Sequence, residues 1–114
     1  NPTSLTETKP NMKVIKEEIF GPVVAVIPFK TESDLIREAN NSAYGLAAGV
    51  WTQDIKKAHN TSAQLRAGTT WINCYNIFDA ALPFGGYKES GWGREMGAEV
   101  LNLYTETKSV CVSL

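Results

Sequence analysis

Between Pro83 and Glu95 the chain places four glycines, Gly85, Gly86, Gly91 and Gly93, behind a proline. That density excludes a long regular helix or an uninterrupted central strand, because glycine is used where the backbone takes left-handed dihedrals or comes close to another group. Two rings, Phe84 and Tyr87, lie within the segment, and Arg94-Glu95 close it. A constrained loop of this length inside a compact domain is either functional or disordered, and its aromatic content argues against disorder. The segment reads as a shaped loop beside a site, so the rest of the chain must supply the elements that hold it.

Those elements alternate. Val23 to Ile27, set between Gly21-Pro22 and Pro28, is a continuous run rich in β-branched residues and is expected to be a strand covered on both faces. Thr31 followed by Asp34 predicts a helix start, with Leu35, Ile36 and Ala39 as the apolar face and Asn40-Asn41 and Gly45 as the stop. Leu46 to Trp51 reads as a second buried strand. Thr52 is the expected N-cap of a second helix running to about Leu65, with Ile55, Ala58, Ser62 and Leu65 on one face and Gly68 as its terminator. Thr69 to Asn73 forms the third predicted strand. Beyond the loop, Glu95 to Leu103 predicts a short third helix. Thr107 to Val112 alternates polar and apolar residues, the pattern of a half-exposed strand able to pair with something outside the main sheet.

Strands separated by helices of this length imply βαβ units and an α/β fold with a mostly parallel sheet. Ligands bind such sheets at the carboxyl ends of the strands. Asn73-Cys74-Tyr75 and the glycine-rich loop directly follow the third strand, which puts both on that edge.

Composition narrows the class. The 114 residues, 43% apolar and 20% charged, are those of one globular domain, expected to bury about two-thirds of its unfolded surface. Net charge is −1 and the cations are scattered, so no basic face is available for nucleic acid. The longest apolar run falls far short of the roughly 20 residues that span a bilayer as a helix, and no membrane partner is expected. Cys74, Cys111 and the single His59 are too few and too dispersed for a Cys/His zinc site. Unpaired cysteines favour a reducing compartment, the cytoplasm or an organelle matrix such as that of mitochondria. The amino end has no initiator methionine and no secretory pattern, as expected of a processed product or a fragment.

With Glu17-Glu18-Ile19-Phe20-Gly21-Pro22-Val23, Asn40-Asn41, Tyr44-Gly45-Leu46, Trp71-Ile72-Asn73 and the Pro83–Glu95 loop in this order, the chain resembles the NAD(P)-dependent aldehyde dehydrogenases. The likeness covers almost the whole chain, and its two longest motifs are far more specific than a lone glycine-rich fingerprint. Members of that family are several times longer, and carry a Rossmann-like cofactor domain, a catalytic cysteine and a general-base glutamate upstream of these motifs. The resemblance therefore implies the carboxy-terminal portion of such an enzyme. It implies a three-layer α/β fold, residues 1–104 forming the end of the catalytic domain and residues 105–114 a terminal oligomerisation strand. The implied activity is oxidation of an aldehyde to a carboxylic acid with NAD or NADP, through a thiohemiacetal and a thioester on the upstream cysteine, in a homodimer or homotetramer. The isolated chain is expected to be inactive. A noncatalytic oligomerisation or interaction domain derived from the same family is the alternative.

The resemblance also assigns roles. It implies that Glu18 binds the ribose hydroxyls of the cofactor and that Phe20 packs near the same ribose and the nicotinamide. A carboxylate suits that place because it only accepts hydrogen bonds and two vicinal hydroxyls can both donate to it. On residue chemistry alone, Lys16-Glu17-Glu18 is a solvated surface and Phe20 is ordinary core. Asn76, Phe78 and Phe84 are implied to approach the aldehyde tunnel, the two rings as walls; the bland alternative is an aromatic cluster that steadies the loop. Arg94 is implied to pair with Glu106, holding the loop and the subunit interface in order, and Glu95 to line a water or proton path. Otherwise these three are surface charges worth under about 1 kcal/mol per pair. No catalytic residue is expected within the chain. Cys74 and Cys111 have no histidine or carboxylate spaced to activate them and read as inert.

Overall fold

The computed structural model describes residues 1–114, which divide in space into Asn1–Ala43 and Tyr44–Leu114. In the first unit, strand β1 (Thr3–Leu5) pairs in parallel with β2 (Val23–Ala25), Thr3 opposite Val23 and Leu5 opposite Ala25. A single helical turn, α1 (Lys13–Lys16), lies between them in sequence. The strand is shorter than the apolar run, which Pro28 closes. The expectation of cover on both faces is not met within the chain. Val23 and Ala25 are half-buried, whereas Val24 on the opposite face is 54% exposed, and Val26 and Ile27 beyond the strand are 49% and 41% exposed.

Helix α2 (Glu32–Asn40) begins where the sequence predicts. Thr31 is extended, its hydroxyl accepts from the Asp34 amide at 3.1 Å, and the Asp34 carboxylate accepts the Thr31 amide at 3.2 Å and hydroxyl at 2.8 Å. This reciprocal box satisfies amide donors that have no intrahelical partner. The Thr31 hydroxyl, and then Arg37 at 2.9 Å, hold the Asp34 carboxyl below the ordinary carboxylate range. A depressed folded value means that the stabilisation is present above the unfolded carboxylate pKa and is lost as pH falls through the lower, folded one. Thr31→Ala is expected to cost about 1 kcal/mol and to flatten the acid-side loss of amide protection over residues 32–40, measured by hydrogen exchange against pH. An unchanged pH profile in that variant would sink this account.

In the second unit, β4 (Ala47–Val50) pairs in parallel with β5 (Thr69–Ile72), Ala47 opposite Thr69 and Val50 opposite Ile72, with helix α3 (Ile55–Gln64) between them in sequence. This is the expected βαβ unit. The cap of α3 is Asp54, whose carboxylate accepts from the Lys57 amide at 3.0 Å; Thr52 instead accepts from the Asp54 amide and steadies the approach. Ala58 and Thr61 are buried against the strands, Ser62 and Leu65 are half-buried, and Ile55 is exposed. Trp71 on β5 is the other buried apolar residue of the chain.

A short antiparallel ladder joins β3 (Tyr44–Gly45) to β6 (Tyr87–Lys88), Tyr44 opposite Lys88 and Gly45 opposite Tyr87. The α/β class is thus as expected, and the pairing consists of three two-stranded ladders, two parallel and one antiparallel. After the loop, a 3-10 turn (Ala98–Val100) leads into α4 (Leu101–Tyr104), so the third helix starts later than predicted. Glu95 is engaged in a backbone bridge and Gly97 has φ +62°, which holds back the helical path until Ala98. Residues 105–114 form no strand in this chain and all are exposed. They pair with none of the three two-stranded ladders of the chain. No helix is long and apolar enough to cross a membrane.

The accessible surface is 9357 Å². A folded monomer of this mass exposes about 6,200 Å² and its extended chain about 18,000 Å². The chain therefore buries about half of its unfolded surface and not the expected two-thirds.

Candidate functional site

The glycine-rich loop is closed at its neck by a two-bond bridge: the Phe84 amide donates to the Glu95 carbonyl and the Glu95 amide to the Phe84 carbonyl, each at 2.7 Å. Inside it, one guanidinium nitrogen of Arg94 donates to the carbonyls of Gly86 at 3.0 Å and Gly93 at 2.7 Å. The Arg94 guanidinium also lies 5.3 Å from the centre of the Tyr87 ring, and that of Arg66 lies 5.2 Å from it, within the range of a cation–π attraction. From outside, the Gly45 amide donates to the Ser90 hydroxyl at 2.9 Å. Gly91 and Gly93 have φ of +118° and +88°, where a side chain would be strained. Gly68 approaches the Gly85 carbonyl so closely that an added Cβ would overlap it. The residue expected as a helix terminator is thus a close-approach glycine, since α3 has already ended at Leu65 with an extended backbone.

Beside the loop lies an open cavity of about 520 Å³, lined among others by Leu46, Phe84, Arg94, Glu95, Val100 and Leu103. Trp92, 102% exposed, stands at its rim.

The turn after β5 carries the second cluster. Asn73 takes φ +54° and its amide clamps Thr52, accepting from the Thr52 amide and donating to the Thr52 carbonyl, both at 2.9 Å. Asn76 also has positive φ, at +58°, a conformation that asparagine tolerates better than most residues. The Trp71 indole donates to the Ile77 carbonyl at 2.8 Å. Rings then follow one another edge to face: Tyr75 and Trp71 at 5.1 Å, Trp71 and Phe78 at 5.7 Å, Phe78 and Phe84 at 5.1 Å. Such geometry is favoured by the ring quadrupoles.

The two expected tunnel rings therefore meet, and Asn76 lies in the same turn as Phe78. Glu95 sits at the neck of the loop with its side chain exposed. Arg94 and Glu106 do not pair within the chain: the guanidinium is taken up by its own loop, and Glu106 is exposed in the terminal segment. Glu18 and Phe20 lie in the first unit, just after α1. The Glu18 side chain is exposed and enters no ion pair of the chain, and Phe20 is 97% exposed. Cys74 and Cys111 are free thiols, and no cluster of metal-ligating side chains is present. Sequence reasoning puts Asn73 and Tyr87 on the right edge without a role for either, and it misses Trp71 and Gly68, whose partners Ile77, Phe78 and Gly85 no local pattern reveals.

Residues 1–110 match the aldehyde dehydrogenase family. The chain belongs to that family. It is 57% identical over 113 residues to an aldehyde dehydrogenase of Agaricus bisporus, covering 99% of this chain and 23% of that one. It is 53% identical to the mitochondrial aldehyde dehydrogenase of Rattus norvegicus, again over 99% of this chain and 22% of the relative. Among solved structures it is similar to the NAD+ complex of the aldehyde dehydrogenase from Bacillus cereus, with 57% identity and a TM-score of 0.93 over 99% of this chain and 23% of that one. Betaine aldehyde dehydrogenase from Staphylococcus aureus in complex with NAD+ follows at 48% identity and a TM-score of 0.87, over 90% of this chain and 20% of that one. This aldehyde dehydrogenase chain thus spans under a quarter of the length of the relatives it matches.

Proposed function

We propose that the chain is the carboxy-terminal part of an enzyme that oxidises an aldehyde to a carboxylic acid with NAD+ or NADP+, the reacting cysteine lying elsewhere in the polypeptide. The observation that carries this reading is the surplus surface. Half-exposed strand faces and the 9357 Å² of accessible area, set against family members more than four times as long, are those of a piece whose faces are completed by further chain. Two of the similar structures hold NAD+, and the residues here suit that group. Glu18 is an exposed acceptor not engaged in any ion pair of the chain, and Phe20 is an uncovered ring beside it in sequence. NAD(P)+ supplies the hydride acceptor when bound.

In this reading Glu18 orients the ribose by accepting from its hydroxyls, and Phe20 covers the adjoining ring from water. Asn76, Phe78 and Phe84 line the approach of the aldehyde, where an apolar aromatic wall favours hydrophobic over charged substrates. Glu95 borders a water or proton path. Arg94, already bonded to its own loop, and Glu106 in the terminal segment support contacts between copies in a homo-oligomer. The compartment of such an enzyme is cytoplasmic or the mitochondrial matrix.

The test is Glu18→Gln in the complete enzyme. Losing hydrogen bonds to a charged acceptor costs about 1.5–3 kcal/mol, so KM for the dinucleotide is expected to rise roughly tenfold to a hundredfold. An unchanged KM would exclude the ribose role.

A further inference from the structure

We infer that Trp71 is a positioning residue that sets the width of the aldehyde tunnel by acting through Phe78 and Phe84. The inference rests on the reading of those two rings as tunnel walls. Trp71 sits on β5 and is buried, only 9% exposed, so its own position is fixed by the βαβ unit. From there it reaches the turn in two ways. Its indole N–H donates to the Ile77 carbonyl at 2.8 Å, one residue before Phe78. Its ring meets Phe78 at 5.7 Å with an interplanar angle of 90°.

Phe78 in turn meets Phe84 at 5.1 Å and 82°, and Phe84 is fixed in the neck of the loop by its two backbone bonds to Glu95. The turn itself passes through left-handed dihedrals at Asn73 and Asn76 and depends on outside anchors to hold one conformation. Trp71 is the anchor on the side of the rings, and Asn73 with Thr52 the anchor at the strand end. A shift of the indole is passed to Phe78 through both the carbonyl and the ring. Trp71 itself need never touch the substrate.

The experiment compares kcat/KM for benzaldehyde and for propanal in the complete enzyme, with KM for the dinucleotide and the thermal midpoint measured alongside. Trp71→Phe keeps a ring against Phe78 and deletes the N–H donor; Trp71→Leu deletes both. If Trp71→Leu does not fold, Trp71→Phe carries the comparison. Phe78→Ala is expected to change the benzaldehyde-to-propanal ratio about tenfold. Trp71→Phe should move it about threefold in the same direction, with KM for the dinucleotide unchanged and no further shift when Phe78 is already alanine. A merely structural role would lower activity on both aldehydes alike and leave the ratio untouched. A ratio shifted by Phe78→Ala but not by Trp71→Phe overturns the inference alone. A ratio unmoved by Phe78→Ala and by Phe84→Ala overturns the tunnel reading and the inference with it.

Discussion

Gly68→Ala is expected to be among the most damaging single substitutions in the chain, although it adds one methyl group. The new Cβ would overlap the Gly85 carbonyl, with Gly86 behind it. Both atoms are backbone, so no side chain can swing aside. Overpacking of ordinary side chains costs about 1–3 kcal/mol, and a clash between two backbones belongs at or above the upper end. The complete enzyme should lose several degrees of thermal midpoint, and its activity should fall because the displaced segment carries Phe84. An unchanged midpoint in Gly68→Ala would refute the close-approach account.

The second large effect concerns the chain on its own. A 60-residue domain buries about 60% of its unfolded surface and is already marginal; this chain buries about half. Its buried apolar residues are Ala58 and Trp71, while Phe20, Trp92, Leu103 and Tyr104 are exposed. Apolar area of that kind contributes about 25 cal/mol per Å² only when something covers it. The isolated 114 residues are expected to unfold without a cooperative transition, to bind a hydrophobic dye, and to show no dinucleotide-dependent aldehyde oxidation. A sharp calorimetric transition, or reproducible turnover by the purified chain, would contradict the proposal that it is part of a longer enzyme.

What was legible in the sequence was what local chemistry decides. Thr31 and Asp34 are three residues apart, and the box they form needs nothing else to specify it. The βαβ unit of β4, α3 and β5 likewise follows from its apolar runs and from the polar stretch between them. Gly68 was misread because its reason lies in Gly85, distant in sequence and close in space. The cap of α3 moved from Thr52 to Asp54 because both residues can cap and only geometry chooses between them. Thr107 to Val112 alternates as a strand does, yet it pairs with none of the three ladders, because alternation fixes which side chains share a face and not which strand is the partner. The meeting of Phe78 and Phe84 came from the family likeness; the indole that anchors Phe78 did not, since a buried tryptophan on a strand reads as plain core.

The neck formed by Phe84 and Glu95 has a consequence for engineering. Because it is sealed by two short backbone bonds and braced from within by Arg94, the segment between them is a self-contained cassette. Its external attachments include Tyr44 and Gly45 through the ladder and Ser90, Arg66 through Tyr87, Gly68 through its contact with Gly85, and Phe78 through the ring of Phe84. A relative that carries those recipients is expected to accept the whole cassette, strand β6 included, with the pairing to β3 kept. Diversity in what reaches the rim can therefore be transplanted by splicing at two residues.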